Sequence, residues 1–572
     1  MKKVTCWSWI ALFGLLGVMV ALMWQPIREE SATADEPWIL SAGYTYCKGM
    51  GFRLHPDEPP LAKMWCALPL LFMHARIPDE VMPLFEGRGG FPLARPWAGP
   101  LQPVGRLFPK GRDNWYYWPW YEAERFSQSF LYGGANDADR LLTAARAMQA
   151  VLALLTATMI FAWARQLRGE LAGVCACALW VFNPVALAHG HIVQTDVGGT
   201  LTMLASLWSF THFIQRPRMS SAVIAGLAFG TALATKLSAL LNLPIFVALV
   251  ALWWLKQSRD ERGLLPLAKL VPAFLGCSWL VILLVYAPHW RPAPPLPDRQ
   301  AAWMGVPWWF ETLRPILVPR DFFKAVALFT CSAGRGHAGY LLGRWSLDGW
   351  WYYYPVAFAL KSPIPFLALS AGGLTVVLWR LRLQSFAQLV PWLGAIVFFA
   401  LVMFNKSEVG VRHLLPVYGL LSVAIASQLA PLRGRAGIAT WALVVWMIAE
   451  AVAAHPFFLE YFNEFAGGAA NGHKYLLDSN LDWGQDVKRL KRFLDDHGIQ
   501  HVDLMYFGVP QAIDYYRIPA TRVTVEQARQ IHNGTLVISA MALMKPEWRW
   551  LRDQQQPIAR VGYTLFVYRL TK

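Results

Sequence analysis

Charge is what this sequence has least of. Only 15% of its 572 residues are Asp, Glu, Lys or Arg, while 56% are hydrophobic and 14% aromatic, with a mean hydropathy of +0.33. A soluble domain carries about a quarter charged residues, so a single water-exposed core is excluded. Acids are the scarcer sign, 36 against 52 bases, for a net charge of +16. Cysteine is scarce too, at seven. Cys6, Cys175, Cys177 and Cys277 lie in or beside apolar runs, where packing is the default use, and the Cys175-Ala176-Cys177 spacing suits neither a metal nor a redox pair, so no catalytic thiol is expected. Cys47, Cys66 and Cys331 remain, and a Cys47 to Cys66 disulfide is compatible with an oxidising exterior. There is no internal repeat of fixed period, and no low-complexity tract longer than the proline-rich stretch Arg291 to Pro297.

Apolar length is what the chain has instead. Thr5 to Trp24 is about twenty apolar residues, enough to cross a ~30 Å hydrocarbon layer. No small-residue cleavage site closes it, and Trp24-Gln25-Pro26 follows directly, so it reads as a retained anchor. Further runs fall near 141–164, 170–188, 196–214, 220–235, 238–255, 266–287, 362–379, 386–404, 412–430 and 436–454, giving eleven expected spans. Lys2 with Lys3, Arg165 with Arg168, Arg216 with Arg218, Lys256 with Arg259 and Arg262, Arg380 with Arg382, and Arg433 with Arg435 occupy alternate short connections. The positive-inside rule then sets the N-terminus in the cytoplasm and leaves 25–140, 288–361 and 456–572 outside. Much of the positive charge is thus a topology signal, with anionic headgroups or substrates as its partners and nucleic acid not among them. The expected architecture is an all-α polytopic membrane domain over 1–455 and a small extracytoplasmic α/β domain over 456–572, in a bacterial inner membrane.

Within the outer segments, Leu61 to Met73 is too short to span and is opened by Pro59-Pro60, which predicts a helix at the membrane surface. In the tail, Asp482 to Gln485 has the spacing of a capping box for a helix that carries Leu490 and Phe493 and stops at Gly498. Val502–Phe507, Thr535–Ala540 and Tyr563–Arg569 read as strands. The acidic run Asp478 to Asp486 fails as a calcium loop: its glycine is one place late, and position twelve is Arg489 rather than Glu. The sequons at Asn405 and Asn533 carry no information in a bacterial protein.

Ionisable groups are nearly absent from span interiors and recur at the outer mouths: Asp35 and Glu36 after the first span, Asp196, Lys236, Lys361, and Arg412 with His413. Such groups are costly at that depth unless used or paired, and their common level suggests one site. Taken singly, Asp35 and Asp196 could be helix caps and Arg412 and Lys236 could snorkel to headgroups.

Together, Asp35-Glu36, the stretch Pro59 to Lys63, Thr195-Asp196 and the run Gly410 to Pro416 resemble the GT-C fold glycosyltransferases that use polyprenyl-phosphate sugars. The protein O-mannosyltransferases and the bacterial aminoarabinose transferases of lipid A are the nearest groups. The resemblance covers 1–455. The glycine and aromatic runs Gly336–Gly343 and Gly349–Pro355, with the tail stretches Tyr461–Glu464 and Asp478–Asp486, are similar to bacterial members of unassigned substrate. It implies that Asp35 is the base that accepts the acceptor's proton and that Asp196 is a second acid across the cavity. One departure stands out: Glu58-Pro59-Pro60 replaces the His-Pro-Pro of O-mannosyltransferases, with Asp57 and His55 nearby.

The residues support the same chemistry without the family. Transfer from a lipid-phosphate sugar needs a base at the nucleophile and positive charge at the departing phosphate, but no strong acid, since the second phosphate pKa is about 6. Lys63, Lys236 and Arg412 are the phosphate candidates, Arg412 first because its fork binds two oxygens. Glu36, His55, Asp57, Glu58, His337 and His413 complete the expected substrate-binding set. Asp57, Glu58 and His337 are the candidate ligands should a divalent cation take part. Trp350, Trp351 and Tyr352 suit sugar faces as well as an interfacial belt. The expected function is inverting transfer of a sugar from a polyprenyl-phosphate carrier to a protein, lipid or glycan. The alternative is a transporter or flippase of lipid-linked sugar, which usually shows a repeat or midplane charge. A sensor with a ligand-binding tail would need no acids on the membrane side.

Overall fold

The computed structural model describes residues 7–571 apart from 53, 83–119, 258–262, 291–316 and 336. Lys2, Lys3, Cys6, Arg259, Arg262 and the proline-rich stretch after Arg291 lie outside the described residues, as does the side chain of Cys331.

All eleven apolar runs are helical. By length and composition Trp7–Glu29, Ala138–Arg168, Leu237–Lys256, Leu265–His289 and Gly434–Ala454 can cross a membrane. Two bent pairs, Glu170–Val181 with Pro184–His191 (66°) and Tyr353–Lys361 with Ile364–Trp379 (115°), bring the number to seven. Met219–Thr235 and Phe386–Val402, at 17 residues each, stand at the lower bound for a crossing. The helices turn large apolar side chains outward, Phe13 68%, Val247 71% and Leu284 63% exposed, which only a hydrocarbon solvent makes favourable. The chain is an integral membrane protein.

The surface helix forms as Leu61–Phe72 and packs on Glu36–Cys47 and Ala138–Arg168. Its contact with the first of these is so close that a Cβ on Gly43 would lie 2.1 Å from the Lys63 carbonyl oxygen. That approach fixes the loop 50–60 between the two helices. The Cys47 to Cys66 disulfide does not form: Cys66 is buried with its thiol on Gln149 Oε1 (3.2 Å), and Cys47 turns to the Met64 carbonyl.

A hairpin of β1 (Gly339–Leu341) and β2 (Arg344–Ser346) stands in the segment before Tyr353. In the tail, β3 (Val502–Met505), β4 (Ala520–Arg522), β5 (Asn533–Ser539), β6 (Ala559–Val561) and β7 (Leu565–Thr571) make one sheet in the order β4-β3-β5-β7-β6. β3 runs parallel to β4 and β5, and β7 antiparallel to β5 and β6. The tail helix is Val487–Asp496, and the expected capping box is absent: the Asp482 carboxylate accepts the Met541 N–H (2.8 Å) instead.

The tail is bonded to the membrane helices at the end of the bundle that holds Ser31, Ala34 and Lys361. Ser31 and Ala34 donate their N–H groups to the carbonyls of Gln485 and Trp483, each at 2.9 Å. Lys361, buried, donates to three carbonyls, Leu459 (2.8 Å), Tyr461 (2.6 Å) and Asn480 (2.7 Å). Arg489 lies among Glu30, Glu460 and Asp486, three buried carboxylates.

Candidate active site

Asp35 stands where the chain leaves the first helix and enters Glu36–Cys47. It occupies the cap position but makes no capping bond, so its carboxylate, 41% exposed, is free to meet Arg412 Nη1 at 3.1 Å. Glu36 does the reverse. It is fully buried, and its oxygens receive Arg146 Nε (2.8 Å) and Nη2 (2.6 Å) and the N–H groups of Thr33 (2.8 Å) and Val193 (3.0 Å). Arg146 also donates to the carbonyls of Ile27, Glu30 and Ser31. Of two adjacent acids, one fixes the chain path and the other is presented. Glu36 therefore has no free face for substrate, contrary to the sequence expectation.

Asp196 opens the helix Asp196–Gln215 after Thr195, and it too caps nothing. Its carboxylate lies 2.6 Å from Lys236 Nζ and 3.9 Å from the same Arg412 nitrogen that holds Asp35. The two acids expected to cooperate thus share one guanidinium. Lys236 also reaches Thr195 Oγ1 (3.2 Å) and Glu58 Oε1 (3.7 Å), and the Thr195 hydroxyl donates to Glu58 (3.0 Å). Burial would raise the Glu58 carboxyl, but Lys236, His55 and Lys63 outweigh it and hold the group below its ordinary range.

His55 faces Asp57 and Glu58 at 3.6 and 3.9 Å. Lys63 is fully buried and donates to the carbonyls of His55 (2.6 Å) and Glu58 (2.7 Å). It staples the loop, and its ammonium is not presented to a phosphate as the sequence suggested. His413 turns aside: its Nδ1 is 2.9 Å from the Tyr354 hydroxyl, which donates to the Ser407 carbonyl (2.7 Å). His337 donates its N–H to the Lys406 carbonyl (3.3 Å), and its ring is within electrostatic reach of Asp35, Arg412 and Asp57.

The acids of this site are matched with lysine and arginine. Among the described residues no three of His, Cys, Asp and Glu converge as a metal-ligand set, and His337 does not close one with Asp57 and Glu58.

Sequence reasoning passed over two neighbours of Arg412. Trp483 lies under its guanidinium at 4.4 Å, and Asp478 is an electrostatic partner of both Arg412 and Asp35. Burial pushes the Asp478 carboxyl up to about 6 against the pull of Arg412. The available signal was the acidic run Asp478 to Asp486, which contains both and which the sequence reads as a helix cap.

Residues 138–289 match the family described as dolichyl-phosphate-mannose-protein mannosyltransferase. The matched stretch carries Arg146, Asp196 and Lys236, and its family lies within the class that the outer-mouth motifs resemble. Among solved structures, ArnT from Cupriavidus metallidurans bound to undecaprenyl phosphate is 14% identical with a TM-score of 0.47, covering 99% of this chain and 98% of that one. The apo oligosaccharyltransferase of Archaeoglobus fulgidus is 12% identical with a TM-score of 0.48, covering 91% of this chain and 65% of that one. No curated protein matches the chain.

Proposed function

We propose that this protein is an inverting glycosyltransferase that moves a sugar from a polyprenyl-phosphate carrier to a protein, lipid or glycan hydroxyl on the outer side of a bacterial inner membrane. The observation that supports it most is Asp35, an outward-facing carboxylate held at 3.1 Å by an arginine that also reaches Asp196. Base and anion site are thereby side by side. The acceptor hydroxyl attacks the anomeric carbon and its proton passes to Asp35. The bond from that carbon to the carrier phosphate oxygen breaks, and the phosphate leaves with the electron pair. One displacement inverts the configuration. A bound phosphate competes for the Arg412 fork, which loosens the ion pair and leaves the Asp35 carboxylate free to receive the acceptor's proton. Arg412 and Lys236 supply positive charge at the phosphate. The family match over 138–289 favours transfer over a flippase.

Mass spectrometry of the purified protein is expected to find a co-purified polyprenyl-phosphate sugar, which names the donor. Asp35→Asn should keep that lipid bound while turnover falls by at least about 10²-fold. Transfer at the wild-type rate by this variant would sink the proposal.

A further inference from the structure

The run Asp478 to Asp486 is neither a calcium loop nor a helix cap, and Ser479, Asn480, Trp483, Gly484 and Gln485 within it bond to the segments that join the membrane helices at one end of the bundle. Asn480 Oδ1 accepts the Val411 N–H (2.8 Å) and the Ser479 hydroxyl donates to the Val409 carbonyl (2.7 Å), so two tail side chains grip the backbone on the N-terminal side of Arg412. A Cβ on Gly410 would lie 2.1 Å from Ser479 Oγ, which is how closely the two strands of chain approach. The indole of Trp483 then lies face-on under the Arg412 guanidinium at 4.4 Å, with only 2% of the residue exposed. His189 meets the same indole edge-on at 6.4 Å. The carbonyl of Trp483 receives the N–H of Ala34, the residue before Asp35. A tryptophan that only filled a core would need apolar neighbours. This one carries a cation on its face and, through its backbone, the residue that precedes the base.

We infer that the tail completes the phosphate-binding part of the site, with Trp483 as the positioning residue that sets the Arg412 fork. The stack restricts the guanidinium plane, leaving its in-plane N–H groups to face Asp35 on one side and an incoming phosphate on the other. Arg412 Nε is buried and makes no hydrogen bond among the described residues, so one donor in that plane is left without a partner. The inference rests on Arg412 holding the donor phosphate as proposed above.

The test uses the full chain in detergent and compares binding of undecaprenyl phosphate with that of undecaprenol, which has the same tail and no phosphate. The wild type should prefer the phosphate, and Arg412→Ala should abolish the preference. Trp483→Ala should lower it about tenfold, the scale of a desolvated cation–π contact, while undecaprenol binding stays unchanged. Trp483→Phe should restore most of it. Trp483→Leu, which keeps the bulk without the π face, gives the same comparison if the alanine variant does not fold. Asp482→Asn lies in the same run but bonds toward the sheet through Met541, and should keep the wild-type preference. If the Trp483 variants keep the preference while Arg412→Ala loses it, the inference is overturned and the donor role of Arg412 survives. Loss in Asp482→Asn equal to that in Trp483→Ala would also overturn it, since loosened docking would then explain both. If Arg412→Ala keeps the preference, the proposed donor role fails with it.

Discussion

Asp35 and Glu36 are adjacent acids that nothing in the sequence tells apart, and the protein uses them for opposite purposes. What separates them is Arg146, 110 residues further on, which takes both Glu36 oxygens in a fully buried pair. Breaking a buried pair from one side leaves the other charge stranded at a cost of about 3–5 kcal/mol. Glu36→Gln is therefore expected to lower the thermal midpoint sharply, whereas Asp35→Asn, at a half-exposed carboxylate whose Arg412 partner keeps Asp196 beside it, should leave it nearer the wild-type value and remove activity. Equal midpoints for the two variants would refute the division of labour. Glu408 gives a second residue-scale prediction. Burial pushes its carboxyl up to about 7, opposed only by a hydrogen bond from the Trp350 N–H. In the unfolded chain it ionises near its ordinary 4.5, so between these values the folded state binds more protons. Its contribution to stability is full below about 4.5, falls as pH rises, and is gone above about 7. Glu408→Gln keeps an acceptor for Trp350 and removes the ionisation. Its melting temperature should match the wild type near pH 4.5 and exceed it at pH 8. A deficit at pH 8 would contradict the assigned burial cost.

Elements were more legible than residues, for a physical reason. Spans and the surface helix announce themselves through many apolar positions at once, and Val502–Met505, Asn533–Ser539 and Leu565–Thr571 fell within or beside strands read from period-two patterning. β4 and β6 have three residues each, too few to show a period. The Asp482 capping box was misread because its local spacing is right while the acceptor finds a stronger use in Met541, across the tail. The outer hairpin shows how an element depends on a contact outside itself. Gly343 and Gly349 both have positive φ, +84° and +74°. A Cβ on Gly343 meets open space, but one on Gly349 would lie 2.7 Å from Glu408 Oε1. Gly343→Ala should cost only the left-handed backbone strain, about 1–2 kcal/mol. Gly349→Ala carries that strain and also drives the hairpin off Glu408, so it is expected to lose clearly more stability, and activity with it. Comparable midpoints for the two variants would show that Glu408 does not anchor this segment.

At the scale of the whole molecule, the two ends of the helix bundle are chemically different. The helix Trp7–Glu29 is about 34 Å long at 1.5 Å per residue. Near its start Ser8 bonds Glu170, which pairs with Arg165 at 2.7 Å. Beyond its far end Glu30 meets His191 and Arg489, and Asp35 meets Arg412. Lys256, bonded to the Leu381 and Gln384 carbonyls, belongs with the short basic connections, while Lys488 on Asp139 (2.6 Å) and Arg492 on Glu29 (3.5 Å) belong with the tail and the site. Among the described residues, the basic connections read from the sequence therefore sort onto one end, and every proposed catalytic group onto the other. If the positive-inside rule holds, the end with the tail faces out. This is open to a direct measurement in cells. A cysteine placed at Gln555, exposed in the tail, should react with a membrane-impermeant maleimide in intact spheroplasts, whereas one at Arg435, exposed in the first turn of Gly434–Ala454, should react only after permeabilisation. The reverse pattern would put Asp35 and Arg412 in the cytoplasm, beside nucleotide sugars instead of the outer face, and would remove the reason for a lipid-borne donor. Labelling of both in intact spheroplasts would mean that the basic connections do not set the orientation, and that the number of crossings between the tail and Arg435 is even rather than odd.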